Sequence, residues 1–118
     1  MNSIFESDEH EYRFYSIMSQ DDTSELDRER ISMFYIISGN GELYSHLHEI
    51  YSCYTHRLKP NPLNKLGYMC SSSQKLLILA LHLYNNGNGN RHTPFDLLNC
   101  LDKQNLDLAL KAMRLRFT

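Results

Sequence analysis

The stretch Gln74–Tyr84, QKLLILALHLY, decides the fold. Seven of the ten positions after Gln74 are apolar (Leu76, Leu77, Ile78, Leu79, Ala80, Leu81 and Leu83), so no rotation about a helix axis leaves a wide polar face. Such a segment has to be covered on several sides. A short apolar run also suits a buried strand, because periodicity does not separate the two. Leu and Ala outnumber β-branched residues here, Ser71, Ser72 and Ser73 offer N-cap oxygens ahead of the run, and Gly87 offers a stop beyond it. Together these favour a helix. Eleven residues are too few for a bilayer span, which needs roughly 20. The expectation is an all-α fold: one helical domain over residues 1–118, with about five to six helices around a buried central helix at 74–84.

On the C-terminal side, Asn85–Asn90 (NNGNGN) predicts a turn-rich connector. Thr93, Pro94 and Asp96 form a helix start, with a cap residue, a proline in the first helical position and a carboxylate in the third. That short helix gives way near Asp102. A last helix carries Leu106, Ala109, Leu110 and Met113, with Lys111, Arg114 and Arg116 near its negative end.

On the N-terminal side, Lys59–Cys70 contains Pro60 and Pro62 and predicts an ordered surface loop. Leu43, Leu47, Ile50, Tyr51 and Tyr54 lie at helical spacing and predict a helix before that loop. Another helix takes in Ile31, Phe34, Tyr35 and Ser38 and ends where Gly39 and Gly41 supply left-handed positions, with Glu25, Asp27 and Glu29 early in it. Asp21, Asp22, Thr23 and Ser24 form the turn before it. The first helix starts after Ser7, with Asp8, Glu9 and Glu11 at its positive end, and runs to about Gln20, its apolar positions Phe14, Tyr15, Ile17 and Met18 falling mostly on one side.

The net charge of −2 hides a division. Residues 1–50 carry eleven acids and three bases, and residues 51–118 three acids and nine bases, so −8 faces +6. The plain reading is mutual attraction of two solvated faces. The sharper one is an acidic patch for a basic partner, of the kind a surface that takes nucleic acid would provide. The first twenty residues are acidic and aromatic and do not resemble a secretory leader. Three irregularly spaced cysteines (Cys53, Cys70, Cys100) suit reduced thiols, and a cytoplasmic address follows as the expectation.

Chemistry-bearing patterns are sparse. Cys53 and His56 are three apart and would share a helix face, with Cys70, Cys100, His46 or His82 left to complete a zinc site, but a second close ligand pair is missing. His46 and His48, two apart, point in different directions and read as surface residues. His82, in an apolar helix, reads as a hydrogen-bonded core or boundary histidine. Cys70 at a helix start is a conceivable nucleophile with His82 or His92 as base, although no catalytic signature frames it. Arg91, His92, Lys103, Lys111, Arg114 and Arg116 give the last third a basic bias that a nucleic acid could use, without forming a dense run. NNGNGN follows a helix and lacks the Lys-Ser/Thr ending of a phosphate loop.

Four segments carry a resemblance: LKPNPLNK (Leu58–Lys65), GYMCSSS (Gly67–Ser73), LALHLYNNG (Leu79–Gly87) and TPFDLLNCLDKQNLDLALKAMRLRF (Thr93–Phe117). Over this half the chain resembles a family of small uncharacterised proteins, a domain of unknown function, from Gram-positive bacteria and their mobile elements. Where the family has Trp-Gln-Thr this chain has Tyr68, Met69 and Cys70, a departure that favours packing over a polar role for the loop. The resemblance implies a mostly helical domain and no assigned activity. Its mobile-element setting suggests a small regulator or inhibitor of another protein, an anti-CRISPR included.

The sequence thus points to a non-catalytic protein that binds another macromolecule, needs no cofactor or metal and no membrane, and recognises a protein with a basic surface in preference to nucleic acid. Asp8, Glu9, Asp21, Asp22, Glu25, Asp27 and Glu29, with Tyr44 and Tyr51 beside them, are the expected contact residues. The alternatives are a nucleic-acid-binding regulator using the basic last third, and an enzyme or metal protein using Cys70 and His82.

Overall fold

The computed structural model describes residues 4–85, 93–99 and 101–118. In chain order the elements are α1 (Asp8–Asp21), α2 (Arg28–Gly39), α3 (Gly41–Ser45), α4 (Leu47–Ile50), β1 (Tyr51–Ser52), β2 (Arg57–Leu58), α5 (Pro62–Lys65), α6 (Ser71–Asn85), α7 (Pro94–Leu98) and α8 (Lys103–Phe117). The fold is all-α apart from the two-stranded ribbon. Among the described residues there are eight helices rather than five or six, because four of them are single turns.

Helix α6 is interior, burying Leu76, Leu77, Leu79, Ala80, Leu81 and Leu83. It begins at Ser71, so the three serines lie inside its first turn instead of capping it. Ser73 is buried, and its hydroxyl reaches Asn40 Oδ1 at 3.3 Å, a tertiary partner that replaces the expected cap. The expected stop at Gly87 and the connector after Asn85 lie outside the described residues.

The centre is shared with α2, which packs against α1, α6 and α8. Ser32 through Ser38 are buried without a break, Met33, Phe34, Tyr35, Ile36 and Ile37 completely. A helix apolar on every side has no solvent face to keep, and each large side chain it hides contributes about 1.5–3 kcal/mol. Its two buried serines are satisfied locally: Ser32 donates to the carbonyl of Arg28 at 2.9 Å and Ser38 to that of Tyr35 at 3.1 Å.

Neither Gly39 nor Gly41 takes a left-handed φ; Gly39 ends α2, Gly41 opens α3, and the extended Asn40 between them (φ −122°, ψ 115°) makes the break. Gly39 serves close approach instead. A Cβ there would overlap Leu108 Cδ1 and lie 3.0 Å from the His10 ring. The buried face of α8 accordingly uses Leu108, Ala109 and Ala112. Leu110, expected inside, is half exposed, because the small residues that let α8 press on α2 sit around the helix from it.

The turn between α1 and α2 also differs from expectation. Asp21 is still helical, and Asp22 closes α1 in the left-handed region (φ 56°), its N–H reaching back to the Met18 and Ser19 carbonyls. Helix α2 starts four residues past Ser24, with Asp27 as its N-cap accepting from Arg30 N at 3.0 Å. Glu25 is therefore in the turn, and only Glu29 lies in the first turn of α2.

The predicted helix through Tyr54 is two short helices and a ribbon. Leu43, Leu47 and Ile50 are buried as their spacing required. Beyond them Tyr51 turns extended (φ −145°, ψ 140°) and pairs with Leu58, while Ser52 pairs with Arg57. Tyr51, Cys53, Tyr54 and Thr55 include residue types that pleated backbone suits better than helix, and Tyr54 ends 93% exposed. The proline loop holds one helical turn, α5, opened by Pro62 after a left-handed Asn61 (φ 52°). Met69 packs into the core there, whereas Tyr68 and Cys70 are exposed.

The cap of α7 follows the sequence, and α8 has one the sequence reading did not name. Thr93 and Asp96 exchange hydrogen bonds of 3.1 Å as a capping box for α7, and Asp102 accepts from Asn105 N at 2.8 Å to start α8. No described helix is long and apolar enough to cross a membrane.

Candidate interaction surface

Helix α1 has two stripes of identical spacing. His10, Phe14, Ile17 and Asp21 face inward and are buried. Asp8, Tyr12, Tyr15 and Ser19 repeat the same i, i+4, i+7, i+11 pattern on the opposite side and are exposed, joined by Glu11. Tyr12 is 74% and Tyr15 56% exposed, and Leu26 in the following turn is 88% exposed. Ser7 anchors the start of the helix, its hydroxyl accepting from His10 N at 3.0 Å.

The sequence between Ile4 and Glu29 holds nine acids and two arginines. Glu9 is paired with Arg13, whose guanidinium also lies 4.9 Å over the half-buried Tyr44 ring. Glu6 meets Lys111 at 3.6 Å and Glu29 meets Arg116 at 3.7 Å, so the two oppositely charged halves do touch. At this exposure such pairs are worth little. Asp8, Glu11, Asp22 and Glu25 are exposed and form no ion pair among the described residues.

Two of the nine expected contact residues are interior. Asp21 is 2% exposed and Tyr51 fully buried, so neither can present itself to a partner. They form a polar clasp. Asp21 accepts from Thr23 Oγ1 at 2.6 Å and Tyr51 OH at 2.8 Å, and meets His56 Nδ1 at 2.8 Å. Arg30 donates to Tyr51 OH at 2.9 Å, to Asp27 at 2.8 Å and to the His56 carbonyl at 3.0 Å. Burial pushes the Asp21 carboxyl up, but the bonds from Thr23, His56 and Tyr51 together hold it below the usual carboxylate range. Burial chiefly, with the Asp21 charge opposed by Arg30, raises the Tyr51 phenol. The clasp ties the end of α1 to α2 and to the ribbon, and lines a shallow concavity of about 390 Å³ with Asp22 and Ser24.

The metal and thiol candidates are dispersed by the same geometry. Cys53 and His56 sit in the ribbon turn, not on a helix; His56 has a left-handed backbone (φ 60°) and is taken by Asp21, while burial and that carboxylate raise the Cys53 thiol. His46 contacts Glu49 at 3.4 Å and the Tyr68 hydroxyl at 3.3 Å, and His48 is exposed. No three metal-ligating side chains converge among the described residues. Cys70 directly precedes α6 and His82 lies near its end, about 18 Å along the axis at 1.5 Å per residue. They cannot meet within one chain. His82 Nε2 is buried with no hydrogen-bond partner among the described residues, where a hydrogen-bonded histidine was expected; Leu79, Leu83, Leu97, Leu98 and Met113 line the same groove.

Of the basic set, Lys111 and Arg116 are paired as above, Arg116 also donating to the Leu83 carbonyl at 2.8 Å. Lys103 and Arg114 are exposed on α8. Arg91, His92 and Cys100 lie outside the described residues. What the sequence reading missed is Tyr12, Tyr15 and Leu26 as surface apolar groups; the helical repeat from Asp8 was the available signal.

Comparison with curated proteins and with solved structures returns no match. A family match, by contrast, extends over residues 1–118, including the N-terminal half that carries the exposed stripe. The chain belongs to the family of unknown function DUF6075.

Proposed function

We propose that this protein acts without catalysis, by binding another protein through the exposed acidic and aromatic stripe of α1 and the turn after it. The observation that carries the reading is that Tyr12, Tyr15 and Leu26, all more than half exposed, lie on α1 and the turn after it together with Asp8, Glu11 and Glu25, which form no ion pair among the described residues. Tyrosines supply large contact area at low entropic cost, and the carboxylates select a basic partner and speed its approach. Asp22 borders this surface, Glu9, Asp27 and Glu29 are partly engaged within the chain, and Tyr44 supports it through Arg13.

The likeness to proteins of mobile elements supports a finer reading, in which the bound protein is a host factor that is inhibited or regulated, an anti-CRISPR-type counter to defence being one form. A cytoplasmic location belongs to the same reading. The test is affinity capture with the wild-type chain and with a variant carrying Asp8→Lys, Glu11→Lys and Tyr12→Ala. Partners held by the wild type and lost by the folded variant support the proposal. Partners held equally by both overturn it.

A further inference from the structure

Beside the stripe runs an apolar groove of about 230 Å³ whose walls include Phe5, Phe14, Tyr15, Met18, Ile31 and Leu115. Its rings touch one another: Phe5 lies 5.3 Å from Phe14 and 5.7 Å from Tyr15, and Phe14 meets Tyr15 edge-on at 5.2 Å. Among the described residues one charged side chain lines it, Glu25, which is exposed and makes no hydrogen bond or ion pair there. Arg28 donates to the carbonyl of the wall residue Leu115 at 3.4 Å and is not part of the lining.

An apolar slot with aromatic walls and a single unpaired carboxylate has the chemistry of a receptor for a cation on an aliphatic stem. The stem of a lysine or arginine would lie along Met18, Ile31 and Leu115, as such stems cover apolar surface while their heads stay polar. Its head would meet Glu25 and the electron-rich face of Tyr15. A neutral apolar side chain would leave Glu25 at the mouth without a partner.

We infer that this groove takes one lysine or arginine side chain of the bound protein and is the anchor point of the interaction. The inference rests on the reading of α1 as a protein-binding face and narrows it to one pocket and one residue type.

The probe is a short acetylated peptide with a single arginine between two leucines, together with its lysine and citrulline counterparts, titrated into the labelled full chain. The arginine and lysine peptides should shift the methyl signals of Met18, Ile31 and Leu115 saturably. Citrulline, or Glu25→Gln in the protein, should weaken binding by about tenfold, the size of one charge contact of roughly 1.4 kcal/mol. Tyr15→Leu should weaken the cationic peptides more than the citrulline one. Equal binding of citrulline, equal binding to Glu25→Gln, shifts confined to the Asp8 and Glu11 side, or no methyl shifts at all would each overturn the inference. None of these outcomes decides the wider reading, because the capture experiment leaves Glu25 and the groove unchanged.

Discussion

Asp21 and Glu25 are four residues apart and carry the same charge, yet they live in opposite environments. Asp21 is buried, held by Thr23, Tyr51 and His56, with Arg30 at 3.8 Å. Glu25 is exposed in a turn and bonded to nothing described. The first binds the chain to itself, and the second is left over for something else. Charge counted along a sequence mixes these two populations; only their hydrogen-bond partners separate them.

The largest expected effect breaks the clasp. Asp21→Ala removes the buried acceptor of Tyr51 OH and Thr23 Oγ1 and the 3.8 Å ion-pair partner of Arg30, and should cost about 3 kcal/mol, read from urea denaturation, whereas Glu25→Ala should stay within about 0.5 kcal/mol. Equal losses would erase the distinction between the two acids. Next comes Gly39→Ala. Its methyl has no room between Leu108 and the His10 ring, so a loss of about 1–3 kcal/mol is expected, and an unchanged urea midpoint would show that α8 can retreat without cost.

Acidification sharpens the comparison. The His10 ring accepts from Glu6 N at 3.0 Å and donates from Nε2 to the Tyr35 carbonyl at 3.0 Å, a neutral arrangement. Burial first, then Lys111 and Arg13, hold its pKa below the ordinary 6.5 against the opposing pull of the Tyr35 carbonyl. The unfolded chain therefore takes up the proton first, and stability should decline as pH falls below about 6.5, by at most roughly 1.4 kcal/mol per unit. His10→Gln should flatten that slope. Asp21 works in a lower window: its folded pKa is depressed, so its contribution is present above 3.8 and fades as pH drops through the folded value. Among the substitutions expected to destabilise, the smallest loss is Ser7→Ala, about 1 kcal/mol from the lost cap on His10 N.

Much of the architecture was legible. The leucine run had to be interior, and Ser7 and Thr93 announced helix starts through cap chemistry that is local. What was not legible depends on partners distant in the chain. Nothing near Tyr51 says that its hydroxyl will meet Asp21 and Arg30, so helical spacing carried the expected helix too far. Gly39 looked like a turn residue because its reason for being small, Leu108, lies 69 positions away. The contact surface was legible as charge but not as shape: the tyrosines exposed on α1 are Tyr12 and Tyr15, while Tyr51, chosen for its place beside the acids, is inside.

The most direct test of the binding face is a cross-saturation map of the labelled chain bound to a partner recovered by affinity capture. Attenuation centred on Tyr12, Tyr15 and Leu26, with the clasp residues Asp21 and Tyr51 unaffected, is the predicted result. Attenuation centred instead on exposed aromatic residues elsewhere, Tyr54, Tyr68, Phe95 or Phe117, would contradict it.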